Sequence, residues 1–213
     1  MSEYINNNYS STEEKLNILT HGFGLLLAII AMPFLILKSV NYQSFFKIAS
    51  FSIYGLSLII LYAASTFYHA AQKPKLRRRL NIFDHAAIYV LIAGTYTPFC
   101  LVTLPEKSGW YLCVFVWLFA LIGIVLKFFF TGKYDKLSTA LYLIMGWQVI
   151  FLIQPLINNL PYNGLFYLII GGVFYTVGAI LYSIKKVPYN HAIFHVFVLL
   201  GSFSHFWAIY MYV

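Results

Sequence analysis

Long apolar stretches separated by short polar breaks repeat along the whole chain. A helix needs about 20 apolar residues to cross the hydrocarbon core of a bilayer. Seven stretches have about that length, and they run approximately over residues 17–37, 48–72, 82–104, 109–130, 137–157, 164–184 and 189–213. No stretch alternates strictly with period two, which argues against a β-barrel. The pattern therefore predicts an all-α, seven-transmembrane helical bundle.

The composition also indicates a membrane protein. Of the 213 residues, 61% are hydrophobic and 9% are charged, whereas roughly 25% are charged in an ordinary soluble domain. An aromatic content of 20% excludes a disordered chain. Two cysteines, Cys100 and Cys113, are too few for a disulfide-rich secreted scaffold. Both lie near the same predicted end of the bundle, so pairing and free buried thiols both remain open.

The chain shows no internal repeat and no linker. We divide it into a short cytoplasmic tail, residues 1–16, and a single seven-helix transmembrane domain, residues 17–213. The first apolar stretch follows the acidic pair Glu13 and Glu14 and lacks the basic leader of a secretory signal, so we expect it to be retained as a span. Because the polar ends are short, we expect no extramembrane partner domain.

The positions of the 14 Lys and Arg residues predict the orientation. Cytoplasmic loops carry an excess of these residues. Eleven of them lie on the side of the N-terminus, and the other side has three: Lys38, Lys47 and Lys107. We therefore expect a multi-pass protein of the cell membrane with its N-terminus in the cytoplasm and its C-terminus outside.

One loop concentrates this positive charge. Five basic residues precede the third predicted span, namely Lys73, Lys75, Arg77, Arg78 and Arg79. Near an anionic membrane surface each such charge contributes about 1 kcal/mol of attraction. We expect these residues to contact anionic lipids of the inner leaflet. Nucleic-acid binding is excluded despite the net charge of +8, because this short loop is held between two spans.

All six histidines lie within predicted spans, where ionisable groups mark functional sites. The predicted topology places His69, at the end of the second span, at the same depth as Asp84, near the start of the third. The seventh span starts at this depth with His191 and His195, which share one helix face because they are four residues apart. The same spacing aligns Ser65 with His69.

Three imidazoles beside a carboxylate and a hydroxyl are typical of a catalytic zinc site, which keeps its fourth position open. Each feature alone has a simpler explanation. A pair of histidines can be structural, an Asp at a helix start is usually a cap, and a Ser within a span usually bonds to its own helix. The convergence at one depth favours a zinc site with His69, His191 and His195 as ligands.

The other three histidines have different predicted roles. His21 lies about one turn inside the first span, where it would support the site as an outer hydrogen-bonding group. His85 adjoins Asp84 but points elsewhere on the helix, which favours packing. His205 lies ten residues beyond His195, roughly 15 Å along the helix and too far for the same metal.

These residues also form a recognisable motif. The chain resembles the hemolysin III family, which belongs with the progestin and adipoQ receptors in a wider group that includes alkaline ceramidases. The resemblance covers nearly the whole chain and rests on Ser65-x-x-x-His69, Asp84, His191-x-x-x-His195, Glu14-x-x-Asn17-x-x-Thr20-His21-Gly22 and Gly94-Thr95-Tyr96-Thr97-Pro98. It implies seven helices with the N-terminus inside and a zinc ion bound by the three histidines.

Three functions follow as hypotheses. The first is a zinc-dependent hydrolase of a membrane lipid amide or ester, which influences lipid homeostasis. Its substrate would enter sideways from the bilayer. Asp84 would accept the proton of the zinc-bound water or orient that water, and Ser65 would hydrogen-bond the water or the developing oxyanion. The second is a pore-forming or channel-like protein, although the spans offer no charged lumen. The third is a lipid-state sensor in which zinc is structural.

Overall fold

A computed structural model describes residues 9–213, and within this range the chain is almost entirely helical and contains no strand. The helices are α1 (Ser11–Asn41), α2 (Phe45–Ala70), α3 (Pro74–Pro98) with a π-helical continuation (Phe99–Thr103), α4 (Glu106–Phe130), α5 (Asp135–Gly146), a 3-10 segment (Gln148–Leu152), α6 (Ile153–Asn159), α7 (Tyr162–Ser183) and α8 (Asn190–Tyr212).

Among residues 9–213, seven helical segments are long and apolar enough to cross a membrane, which confirms the predicted fold class. The fifth span is formed by α5, the 3-10 segment and α6 together. Large apolar side chains such as Leu19, Phe129 and Phe151 lie exposed on the outside of the bundle. The interior is filled by residues such as Tyr54 and Tyr89. The bundle therefore presents an apolar outer surface, as contact with the hydrocarbon core of a bilayer requires.

Two helices begin well before the apolar stretches that predicted them. The first starts at Ser11, inside the predicted tail, because the Ser10 hydroxyl accepts a hydrogen bond from the Glu13 amide at 3.1 Å. The acidic pair of this first turn also suits the positive end of the helix. The third starts at Pro74 rather than near residue 82, since proline is favoured in the first helical turn. Residues 1–8 of the predicted tail lie outside the described range.

The fifth span is broken in its middle, which its apolar pattern alone does not predict. Pro155 lies in the first turn of α6 and lacks the amide hydrogen that would bond residue 151 in a continuous helix, so the helix is interrupted before it. At the break, the Tyr96 hydroxyl donates a hydrogen bond to the Gly146 carbonyl at 2.7 Å and accepts one from the Val149 amide at 2.9 Å. One buried side chain from α3 thereby satisfies backbone groups that lipid could not.

Replacing Tyr96 with phenylalanine should therefore destabilise the bundle. Two backbone groups lose their partner inside a membrane, and we expect the free energy of unfolding to fall by about 1–2 kcal/mol. Denaturation of the purified protein in detergent by titration with SDS measures this change. Tyr111→Phe is the matched control, because Tyr111 is 68% exposed on the outside of the bundle. Equal stability of the Tyr96 variant and wild type would contradict the bridging role.

Four helices meet at the end of the bundle where α1 begins, which we name the N-terminal end. Here α2 ends, while α3 and α8 begin. In the packing, α2 lies between α1 and α3, and α8 lies against α7 and α1. Asn190 fixes the start of α8, because its side-chain amide donates a hydrogen bond to the Tyr182 carbonyl at 2.8 Å. Residues from distant parts of the sequence therefore share one location.

Candidate metal centre

Three histidines come together inside the N-terminal end of the bundle. His69 lies in the last turn of α2, and His191 and His195 occupy successive turns at the start of α8. All three side chains are buried. The spacing of four residues turns His191 and His195 to the same side of α8, and the packing brings that side to His69. The predicted convergence of these three residues is confirmed as a structural grouping.

The geometry of the group fits a metal ion. One ring nitrogen from each histidine can be chosen so that all three lie within 4.8 Å of one another, a grouping that could hold a metal. The Nε2 atoms of His69 and His191 are 3.1 Å apart. Two imidazole nitrogens bound tetrahedrally to zinc at about 2.0–2.1 Å lie roughly 3.3 Å apart. The donor set and the spacing of these nitrogens therefore agree with zinc, although they do not identify the metal.

A carboxylate from α1 holds the first of these rings from behind. Glu14 Oε2 lies 2.7 Å from the Nδ1 atom of His69, on the side of the ring away from His191. Its other oxygen contacts the guanidinium of Arg77. The side-chain amide nitrogen of Asn17 is 3.4 Å from the same Nδ1 atom of His69. Arg77 thus contacts Glu14 within the protein, and the expected contact of the five basic residues with anionic lipid stays a prediction.

Two further residues of the N-terminal region contact the other rings. The Tyr9 hydroxyl lies 3.2 Å from His191 Nδ1, and the Thr20 hydroxyl lies 3.2 Å from His195 Nδ1. Burial raises the pKa of the Tyr9 phenol well above its ordinary value, so the hydroxyl keeps its proton. Neither these two residues nor Glu14 was predicted to be part of the site, although Glu14 and Thr20 belong to the motif that carries the family resemblance. The spacing of Glu14, Asn17 and Thr20 was a usable signal, because residues three apart share a helix face. Tyr9 lies before the helix and gives no such signal.

Asp84 and Ser65 face the same interior space. Ser65 lies one turn before His69 on α2, and Asp84 lies within α3; both are buried. Together with His191 and His195 they line one cavity. Within residues 9–213 the Ser65 hydroxyl has no hydrogen-bond partner. A buried hydroxyl without a partner is available to a ligand in the cavity, and the roles assigned to both residues stay predictions.

The cavity has a volume of about 150 Å³ and extends far from the histidines. At the N-terminal end it reaches Asp135 and Ser138 at the start of α5. In the other direction it continues between the helices to Trp147, Thr176 and His205. Most of its wall is apolar and aromatic. A mostly apolar cavity with a few convergent polar groups is typical of a small-molecule binding site.

The remaining histidines occupy distinct places. His21 stacks on His195 with the ring centres 3.4 Å apart, and neither of its nitrogens has a partner in the described part of the chain. His85 Nδ1 lies 2.9 Å from the Asn81 carbonyl of its own helix. His205 contacts the Leu168 carbonyl at 3.0 Å, outside the three-histidine group. Cys100 and Cys113 are buried free thiols.

Comparison with known proteins finds similarity along almost the whole chain. A family model described as "Haemolysin-III related" matches residues 9–206. The chain is 47% identical over 204 residues to the "Hemolysin-3 homolog" of Bacillus subtilis, covering 96% of both chains. It is 44% identical to "Hemolysin-3" of Bacillus cereus, covering 94% of this chain and 92% of that one. The human "Monocyte to macrophage differentiation factor" is 30% identical over 97% of this chain and 88% of its own length.

Proposed function

The chain belongs to the haemolysin III family of multi-pass membrane proteins, and from that premise we propose that it is a zinc-dependent hydrolase of a membrane lipid amide or ester. One observation supports the proposal above all others. Three buried imidazoles are grouped at one end of a long apolar cavity, which His191 and His195 line together with Asp84 and Ser65. Three protein ligands leave the fourth position of zinc open, which is the arrangement of catalytic rather than structural sites.

The residues divide the chemistry among them. Zinc held by His69, His191 and His195 would supply Lewis acidity toward a carbonyl and make a water easier to deprotonate. The Asp84 carboxylate accepts the proton that the attacking water gives up and passes it to the leaving amine or alcohol. The Ser65 hydroxyl donates a hydrogen bond to the oxygen on which negative charge develops. The carbonyl carbon keeps the hydroxyl of water, and a fatty acid is released.

The cavity wall indicates the class of substrate. We expect an acyl chain to occupy the apolar space that continues from the histidines to Trp147 and His205. Such a substrate already lies in the bilayer and would enter sideways between helices. The exposed basic residues of α3, including Lys75, Arg78 and Arg79, would hold anionic headgroups at the same end of the bundle. We expect this end to face the cytoplasm.

A lipid panel tests the proposed activity. The purified protein, loaded with zinc in lipid nanodiscs, is incubated with ceramides, other acyl amides and phospholipid esters, and released fatty acid is measured by mass spectrometry. We expect release from at least one lipid class, and loss of that release after chelation and its return on adding zinc. No release above the chelated control across the panel would overturn the hydrolase proposal.

The purified protein also allows a test for membrane permeabilisation, a second activity that the name Hemolysin-3 of a relative suggests. Release of a trapped dye from liposomes, increasing with protein concentration and independent of chelation, would indicate membrane permeabilisation instead. We expect no such release. Zinc that raises thermal stability without any lipid product would assign the metal a structural role.

A further inference from the structure

All three imidazoles of the candidate metal centre are contacted at the same ring atom by one short segment, residues 9–20. The contacts join Nδ1 of His191 to the Tyr9 hydroxyl at 3.2 Å, Nδ1 of His69 to Glu14 at 2.7 Å, and Nδ1 of His195 to the Thr20 hydroxyl at 3.2 Å. A neutral imidazole carries its proton on one nitrogen and a lone pair on the other. A group that accepts a hydrogen bond from Nδ1 therefore keeps the proton on that atom. The lone pair is then on Nε2, on the side of the ring away from residues 9–20.

The clearest case is His69. An ionised carboxylate can only accept hydrogen bonds, so Glu14 receives the Nδ1 proton of His69. The Nε2 atom of the same ring then presents its lone pair toward His191, whose own Nε2 is 3.1 Å away. Glu14 is itself held by Arg77, which also donates to the carbonyls of Tyr68 and His69 at the end of α2. The carboxylate therefore has little freedom to turn away from the ring.

The threonine contact gives the same result by a different route. The Thr20 hydroxyl has one proton, and two backbone carbonyls can accept it, that of Leu16 at 2.8 Å and that of Asn17 at 3.1 Å. Its oxygen is then left to accept from His195, 3.2 Å away. The proton of His195 is thereby placed on Nδ1, and Nε2 is free as a ligand atom.

Tyr9 completes the set from outside the membrane-spanning helix. Its ring packs against that of His191 with centres 4.8 Å apart, and its hydroxyl meets Nδ1. When His191 uses Nε2 as a ligand, Nδ1 holds the proton and donates it to the Tyr9 oxygen. The segment before α1 thus covers the group of rings at the N-terminal end.

We propose that Tyr9, Glu14 and Thr20 are positioning residues of the metal centre, which fix the three imidazoles with Nε2 toward one shared point. This inference deepens the proposed function and rests on its metal site. Groups that hold a ligating histidine by its second nitrogen typically change metal affinity by about 10–100-fold when removed. Tyr9 and Glu14, which were predicted to lie in the cytoplasmic tail, and Thr20 of the first predicted span thereby become part of the site.

The test compares metal affinity across variants of the full chain. Tyr9→Phe and Thr20→Val each remove one hydroxyl at nearly constant shape, and Glu14→Gln removes the charge. Zinc affinity is measured by competition with a chelator, and the visible absorption of the cobalt-substituted protein reports the ligand geometry. We expect each variant to bind zinc about 10–100-fold more weakly and to alter the cobalt spectrum. Thr20→Ser, which restores the hydroxyl, should recover most of the affinity.

Thr66→Val is the matched control, because Thr66 bonds the Tyr62 carbonyl of its own helix at 2.7 Å, as Thr20 bonds Leu16. It should keep the affinity and spectrum of wild type. Wild-type affinity and spectrum in all three variants would overturn the inference while leaving the metal site standing. Equal weakening in Thr66→Val, or no rescue by Thr20→Ser, would also overturn it. A wild-type protein that binds no metal would overturn the proposed function and this inference together.

Discussion

Replacing His191 with alanine is expected to remove the metal from the protein. The wild type should retain about one zinc per chain after passage over a chelating resin, because three imidazoles are the full protein complement of a catalytic zinc site. The variant keeps only His69 and His195, which come from different helices and offer a much weaker two-ligand site. Elemental analysis of the purified proteins gives the zinc content, and circular dichroism reports whether the helices persist.

His205→Ala is the control for this loss. His205 lies on the same helix, is buried like His191, and bonds the Leu168 carbonyl rather than the three-histidine group. It should keep its zinc. Full metal content in the His191 variant would exclude that residue as a ligand. Equal loss of zinc from both variants would indicate general damage to α8 rather than removal of a ligand.

Replacing Asp84 with asparagine should abolish turnover of the lipid identified in the panel while leaving the metal in place. The amide has the shape of the carboxyl group but cannot accept a proton from water, and loss of a general base typically costs about 10²–10⁴-fold in rate. Asp84 lines the cavity but is not one of the three grouped histidines. Turnover and zinc content are therefore measured on the same preparation.

The control for charge is Glu106→Gln, the same chemical change at the exposed start of α4. Its turnover should equal that of wild type. Normal turnover by the Asp84 variant would exclude the carboxylate as the base. Loss of zinc from this variant would instead make Asp84 part of the metal site.

The sequence was sufficient to predict the spans and the convergence of the histidines, because both follow from simple regularities. Apolar length identifies a span, and the alternating direction of successive spans places the end of α2 beside the starts of α3 and α8. His69 and His191 could therefore be brought together without a structure. The orientation across the membrane rests on the distribution of Lys and Arg and stays a prediction.

What the sequence did not reveal depends on contacts rather than on pattern. The early starts of α1 and α3 arise from polar residues that form helix without being apolar. The break in the fifth span is stabilised by Tyr96, a partner on another helix. The contacts of Tyr9 and Thr20 with the histidines likewise join positions far apart in sequence. None of these pairings leaves a local signal that identifies both partners.

The separation of the metal ligands along the chain also constrains how the protein is made. His69 and His191 are 122 positions apart, with four complete membrane crossings between α2 and α8. During synthesis the early helices enter the membrane carrying a single ligand, with Tyr9, Glu14 and Thr20 already beside them. Metal can be acquired only after the final crossing has been inserted and has docked against α1. Uptake of the proposed zinc would therefore mark completed assembly, and we expect chains that stall before α8 to differ from finished protein by their inability to take up the ion.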